Sequence, residues 1–266
     1  MEKIIVNHRT ALLGIMFLMM FSSTFAQLSP PGLGKAKTAY WFAFGVQQAL
    51  DSLKQKESTT YVGLGFKSEP DDHNPLSKMA ILVINEEISN HYAEHWTYSY
   101  ALSYRRSNLY DAVEPYQKLS PAIEQEFRVY GRYSYLLGGN GFKWKNTIRQ
   151  EFRKFYNPDF SATDENFQFR TRLKTQINID LGTQKTHQLI ASVEALFAIS
   201  KENYPENQWS KFSYKESRVG LYYALAPPKI PFTFHVGYMH NIIGKSDLVD
   251  VNYIAFDVVW KNPFKY

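Results

Sequence analysis

Apolar and polar residues alternate with a period of two through most of this chain. Between residues 95 and 105, every second position is aromatic or aliphatic, namely Trp96, Tyr98, Tyr100, Leu102 and Tyr104. Successive side chains of a β-strand point to opposite faces of a sheet, whereas a helix would scatter these residues around its circumference. The pattern therefore predicts a strand with one apolar face and one polar face.

The longest alternating segment lies between residues 166 and 180. Phe167 and Phe169 fall on one face of the predicted strand, and Arg170 and Arg172 fall on the other. At about 3.3 Å per residue, a strand of this length can cross a hydrocarbon layer about 30 Å thick at a tilt. We therefore expect an apolar face toward lipid and the arginines toward an interior.

Nine further segments have the same character, and together they predict eleven strands. The nine lie at about 37–50, 59–67, 78–90, 121–137, 143–156, 187–200, 212–226, 231–241 and 249–260. Single-chain bacterial outer-membrane barrels have even strand numbers. Segment 37–50 is the weakest of the set, since residues 45–53 could equally be helical. We predict an all-β, antiparallel up-and-down transmembrane β-barrel of about ten strands, with 37–50 as an extra N-terminal element and twelve strands as the alternative.

The connections between these segments alternate between short and long. Three are tight and contain Gly or Pro, at 137–141, 182–185 and 226–231, and three are longer and polar, at 107–119, 157–165 and 201–208. Outer-membrane barrels have short periplasmic turns and longer extracellular loops. Counting back from a C-terminus in the periplasm, the tight turns all fall on the periplasmic side.

The chain begins with the three parts of a secretory signal. Lys3 and Arg9 supply positive charge, residues 11–21 are apolar, and a small residue, Ala26, precedes the expected cleavage point. Eleven apolar residues are too few for a membrane-spanning helix, which needs roughly 20. We predict a signal peptide at residues 1–26 and an outer-membrane β-barrel domain at residues 27–266.

Composition agrees with this class of protein. The 266 residues include 19 Tyr, 19 Phe and 5 Trp but no Cys, and the mean hydropathy is −0.37. Without cysteine, an exported chain can have neither disulfides nor an acylated N-terminal cysteine, so its stability must come from packing or from closure of a sheet. A polar chain rich in aromatic residues fits a barrel with a lipid-facing and a lumen-facing side.

The expected partners follow from the same picture. The last segment, 253–266, is an alternating strand that ends in an aromatic residue, like the signal read by the barrel-assembly machinery during insertion. The isoelectric point near 9.1 does not indicate a nucleic-acid partner, because the arginines alternate with aromatics instead of clustering. We expect contacts with outer-membrane lipid and lipopolysaccharide, and the sequence leaves the oligomeric state open.

Six segments resemble the DUF2490 family of uncharacterised outer-membrane β-barrels, in its Bacteroidetes form. They are residues 41–45, 60–65, 70–75, 98–106, 149–156 and 260–264. The resemblance covers nearly the whole chain after residue 26 and implies a fold and a location. It implies no activity and carries over no functional residues, because none is assigned in that family.

The polar faces of the predicted strands concentrate charge of both signs. With the aromatic faces toward lipid, the lumen-lining candidates are Glu126, Arg128, Arg132, Arg149, Glu151, Arg153, Arg170, Arg172, Glu194, Glu216, Arg218 and Asp257. The interior of such a small barrel is just wide enough for side chains to fill it or to leave a small cavity, and charges there must pair or stay hydrated. We expect an Arg–Glu ladder that plugs and braces the barrel. A narrow polar pore or ligand site lined by the same residues is the alternative.

Other functions need features that are weak in this sequence. A lipid-modifying enzyme of the lipase or deacylase type would place a nucleophile near a histidine, and the nearest candidate is His95 with Thr97. Asp71, Asp72 and His73 could contribute to a cation site, although three adjacent residues are more typical of a solvated turn. We predict no catalytic residues, no metal and no cofactor. A soluble periplasmic β-sandwich that binds a ligand would show the same alternation and remains the other alternative.

Overall fold

The protein forms one closed β-barrel. The structure, a computed structural model, describes residues 30–139, 141–182, 184–203 and 207–264. All of the regular structure in these residues is β-strand. The predicted signal peptide, residues 1–26, lies outside the described residues. In the described ranges, no helix is long and apolar enough to cross a membrane.

Eleven strands make the barrel wall, and a twelfth is a two-residue strand in a loop. The wall strands are β1 (Thr38–Ala49), β2 (Lys56–Lys67), β3 (Lys78–His91), β4 (Trp96–Tyr110), β5 (Lys118–Gly139), β6 (Phe142–Tyr156), β7 (Ala162–Leu181), β8 (His187–Glu202), β10 (Ser213–Leu225), β11 (Phe232–Ile243) and β12 (Val249–Lys261). The short strand β9 (Gln208–Trp209) pairs only with the end of β8.

The wall closes through two pairings, one of which is parallel. Strands β8 and β10 are antiparallel neighbours, so β9 does not interrupt the ring. Strands β1 and β12 run parallel, in register from Thr38 opposite Asn252 to Gln47 opposite Lys261. Strand directions cannot alternate all the way around a ring with an odd number of members, so one parallel pair is a geometric necessity.

The structure confirms an all-β barrel of ten to twelve strands. Each of the eleven predicted segments forms a wall strand. Segment 37–50 was predicted to be an extra N-terminal element, but it is part of the wall as β1. It pairs along its length with β2 on one side and β12 on the other. The wall is therefore mixed, with one parallel pair, where the sequence predicted an antiparallel meander. A single closed sheet also rules out the β-sandwich alternative.

The two ends of the barrel differ in the length of their connections. The end where β1 and β12 finish has the connections 50–55, 92–95, 140–141, 182–186 and 226–231, each of two to six residues. We call it the short-turn end. The opposite end, the long-loop end, has the connections 68–77, 111–117, 157–161, 203–212 and 244–248, each of five to ten residues. The three tight turns predicted from the sequence thus fall at one end.

The chain before β1 turns back into the barrel. The backbone N–H of Leu33 donates a hydrogen bond of 2.9 Å to the hydroxyl of Tyr253 on β12. The carbonyl of Pro30 accepts one of 3.2 Å from the guanidinium of Arg218 on β10. Both proline rings, Pro30 and Pro31, are buried. This segment therefore occupies part of the interior and contacts both sides of it.

Candidate functional site

A buried carboxylate on β6 gathers three arginines inside the barrel. Glu151 has no solvent exposure, and its oxygens lie 3.0 Å from Arg128 Nη1, 2.7 Å from Arg149 Nε and 3.1 Å from Arg172 Nη1. The three arginines lie on β5, β6 and β7. Alternation along each strand points them inward, and a single acidic residue between them offsets repulsion among like charges.

The contacts continue from Arg172 toward β10. Arg172 donates to both carboxylate oxygens of Glu194, at 3.0 and 2.6 Å. Glu194 lies 3.8 Å from Arg218, which pairs with Glu216 at 2.8 Å. Glu216 also lies 3.6 Å from Arg170. Bidentate arginine–carboxylate contacts fix orientation as well as charge, so these side chains hold the three neighbouring strands β7, β8 and β10 in register.

A second branch lies toward the long-loop end. Glu126 lies 2.6 Å from Arg128 and 2.7 Å from Arg153. Because Arg128 also contacts Glu151, both branches form one ion-pair network. We use this term for the ten residues Glu126, Arg128, Arg149, Glu151, Arg153, Arg170, Arg172, Glu194, Glu216 and Arg218.

Two of the twelve predicted lumen residues stand outside this network. Arg132 lies 3.3 Å from Glu87 on β3, which also accepts hydrogen bonds from Ser99 and Tyr130. Asp257 on β12 is buried and accepts a hydrogen bond of 3.1 Å from the indole of Trp41. The structure thus brings ten of the predicted residues together, places Arg132 beside them, and leaves Asp257 on another part of the wall.

A cavity of about 200 Å³ occupies the half of the interior nearest the short-turn end. Its lining runs from Glu94 and His95, in the turn between β3 and β4, down to Arg105 and Glu194. Pro30 also contributes to its wall. The lumen therefore has two parts. One is a polar cavity near the short turns, and the other is filled by side chains toward the long loops.

Four of the twelve predicted residues line this cavity. The four are Arg132, Arg149, Arg172 and Glu194. Arg132 and Arg149 are opposite each other in register, as are Arg149 and Arg172, so three arginines form a row across β5, β6 and β7. The guanidinium of Arg149 also lies 3.5 Å from the ring centroid of Tyr130, a cation–π contact.

Sequence reasoning missed several residues of this interior. Arg105, Glu87, Lys145 and Lys174 all line the cavity. Each has the parity of the inward face of its strand, and that parity could have identified them.

The histidine candidate has other surroundings than predicted, whereas the aspartate candidates lie in an exposed connection between β2 and β3. The Thr97 hydroxyl lies 3.0 Å from Nδ1 of His91, not beside His95, and Nε2 of His91 lies 3.9 Å from Glu57. The side chain of Asp72 accepts a hydrogen bond from the backbone N–H of His73, which lowers the pKa of the Asp72 carboxyl. No group of three or more metal-ligating side chains lies together within the described ranges.

Comparison with known proteins adds no relationship. No family model and no curated protein matches this chain.

Proposed function

We propose that this protein is an outer-membrane β-barrel whose lumen is closed by the ion-pair network, so that it acts as a structural barrel and not as an open pore. The observation that carries the proposal is the distribution of side chains, with charge buried inside and apolar groups exposed outside.

Every wall strand has at least one large, exposed apolar residue. One from each, in chain order, is Phe44, Val62, Ile84, Leu102, Val129, Ile148, Leu173, Val193, Leu221, Val236 and Ile254. Leu102 has 65% of its surface exposed. Soluble monomers rarely expose apolar patches larger than a few hundred Å², and this one surrounds the barrel. A hydrocarbon environment removes the cost of that exposure.

The packing between the cavity and the long loops supports a closed lumen. Glu126, Arg128 and Glu216 are buried and in contact with neighbouring charges. Pro30 lies against Arg218 in the same region. Opening a continuous channel would require separating these pairs, which leaves buried charges without partners and is costly.

Membrane placement can be tested by extraction and electrophoresis. Fractionation should place the protein with the outer membrane, and the detergent-extracted barrel should migrate differently on a gel before and after boiling. Identical migration, or recovery in the soluble periplasm, would contradict the proposal. Recovery in the outer membrane would agree with the predicted signal peptide and with the resemblance to the DUF2490 family. It would also agree with the expected contacts with lipopolysaccharide and the barrel-assembly machinery, because all of these imply the same location.

Closure can be tested by conductance across a planar bilayer. The wild-type barrel should show little current, whereas replacing Arg170 and Arg172 by Ala should raise it because these side chains fill the lumen. Arg106→Ala is the matched control, since Arg106 is exposed on the outer face. A wild-type current as large as that of the double variant would overturn the closed lumen.

Hydrolysis is a second candidate function, favoured by one observation. Three residues that line the cavity form a chain of contacts, in which Thr97 contacts His91 and His91 contacts Glu57. A hydroxyl, an imidazole and a carboxylate in that order can activate the hydroxyl as a nucleophile. Liposome assays for lipase and deacylase activity test it. Any activity should be lost in His91→Ala and kept in His95→Ala. Wild-type inactivity would remove this candidate.

A further inference from the structure

We propose that the cavity at the short-turn end binds a small oxyanion, a phosphate or carboxylate group, through Arg105. If the barrel has the orientation expected of an outer-membrane protein, this cavity opens to the periplasm, and that part of the inference rests on the proposed function. The binding itself depends only on the interior geometry.

The lining of the cavity has more cationic than acidic side chains. The six cationic residues are Arg105, Arg132, Lys145, Arg149, Arg172 and Lys174, and the four acidic residues are Glu57, Glu87, Glu94 and Glu194. Two of the acidic residues already have arginine partners, because Glu87 contacts Arg132 and Glu194 contacts Arg172. Over the whole lining, the six cationic and four acidic side chains give a formal charge of +2 with the histidines neutral.

Arg105 differs from the other buried arginines of the interior. Only 9% of its surface is exposed. It forms no ion pair with a described residue, and its Nε has no hydrogen-bond partner among them. By contrast, Arg128 and Arg172 each contact two carboxylates. Burying a guanidinium without a partner costs desolvation free energy. An anion bound in the cavity would offset that cost for Arg105.

The register explains why Arg105 lacks a carboxylate. Its cross-strand partner on β5 is Glu126. The oxygens of Glu126 already contact Arg128 and Arg153, at 2.6 and 2.7 Å. The carboxylate opposite Arg105 is therefore already paired with Arg128 and Arg153. Arg105 itself lines the cavity.

The other groups in the cavity suit a small, polar anion. Six serine and threonine side chains line it, namely Thr59, Ser89, Thr97, Ser99, Ser134 and Thr147. Hydroxyls donate to oxyanions without adding charge, and charge-assisted hydrogen bonds from arginine are the strongest available in the lining. A volume of about 200 Å³ is below the usual range for drug-sized ligands, which limits the ligand to a small solute or to one anionic group of a larger one.

Calorimetric titration of the whole barrel in neutral detergent tests the proposal, with inorganic phosphate and succinate as separate probes. We expect saturable binding of at least one probe, and its identity separates a phosphate site from a carboxylate site. Arg105→Gln should weaken binding about tenfold or more, because a charge-assisted hydrogen bond is lost. Arg106→Gln, on the outer face, should leave binding unchanged.

A folding check and one replacement variant complete this test. Heat-dependent migration on gels checks that Arg105→Gln folds, and if it does not, Lys145→Gln replaces it, since Lys145 is half-buried in the same lining. The inference is overturned if neither probe binds, or if Arg105→Gln, or Lys145→Gln where it replaces it, binds as tightly as the wild type. Because the titration uses detergent-extracted protein, its failure is independent of where the barrel resides in the cell.

Discussion

The two sides of the barrel interior are packed with opposite chemistry. On the apolar side, contributed by β1, β3, β11 and β12 with the short-turn ends of β8 and β10, Trp41, Tyr253, Val83 and Tyr222 belong to one buried hydrophobic cluster. On the charged side, contributed by β5 to β8 and β10, the ion-pair network fills the same cross-section. The first depends on matching volumes, and the second depends on every charge keeping a partner.

The two sides also differ in the residues that lie next to their largest side chains. A Cβ added at Gly63 would lie 2.2 Å from the ring of Trp41, and one added at Gly237 would lie 2.1 Å from that of Tyr222. Glycines here make room for rings that lie over the neighbouring strand. The charged side has arginines opposite one another, as at Arg128 and Arg153. Steric complementarity tolerates small errors, whereas charge pairing is lost when one member is removed.

The largest effect should come from Glu151. Replacing it by Gln leaves Arg128, Arg149 and Arg172 around a neutral group, and breaking a buried pair costs about 3–5 kcal/mol. Urea titration of the barrel, followed by gel migration, should show the lower stability. Glu114→Gln, in an exposed loop, is the matched control. Equal stability of the two variants would mean that the network does not brace the wall.

A smaller effect should come from the apolar side. Gly63→Ala forces the ring of Trp41 to move, and overpacking of this kind costs about 1–3 kcal/mol. The control is Gly139→Ala, where an added Cβ has no neighbour within 4 Å. A lower stability of the control than of Gly63→Ala would refute the steric explanation.

The smallest effect should come from the edge of the charged side. Arg132 is about one third exposed in its side chain and lies 3.3 Å from Glu87. Glu87 keeps its hydrogen bonds from Ser99 and Tyr130 when Arg132 is removed. Arg132→Gln should therefore cost less than about 1 kcal/mol in the same urea titration. A loss as large as that of Glu151→Gln would erase the distinction between central and peripheral pairs.

The sequence predicts the wall well because alternation is a local property. Inward and outward residues of β7, such as Arg172 and Phe169, follow directly from the period of two. The parallel pairing of β1 with β12 could not be predicted in this way, because it depends on which strands meet when the ring closes. The even strand count of known barrels gave a wrong expectation for β1 for the same reason.

The site was predictable in membership but not in connection. Parity places Glu126 and Arg153 on inward faces, yet their contact depends on rotamers that the sequence does not specify. The separation of the lumen into a filled part and a cavity also depends on Pro30, whose position inside the barrel has no local signal. Parity also places Arg105 on an inward face, but its lack of a carboxylate partner could be seen only once the contacts of Glu126 were known.

The parallel pair of β1 and β12 has a kinetic consequence. The other ten neighbouring pairs join strands that are successive in the wall along the chain, so each can form as soon as the next strand is made. The remaining pair joins Thr38 to Asn252, and contacts of such sequence separation form slowly. Until the last strand arrives, β1 has an unpaired edge, the kind of edge that promotes aggregation. An assembly factor that recognises β12 would therefore also control how long that edge stays open.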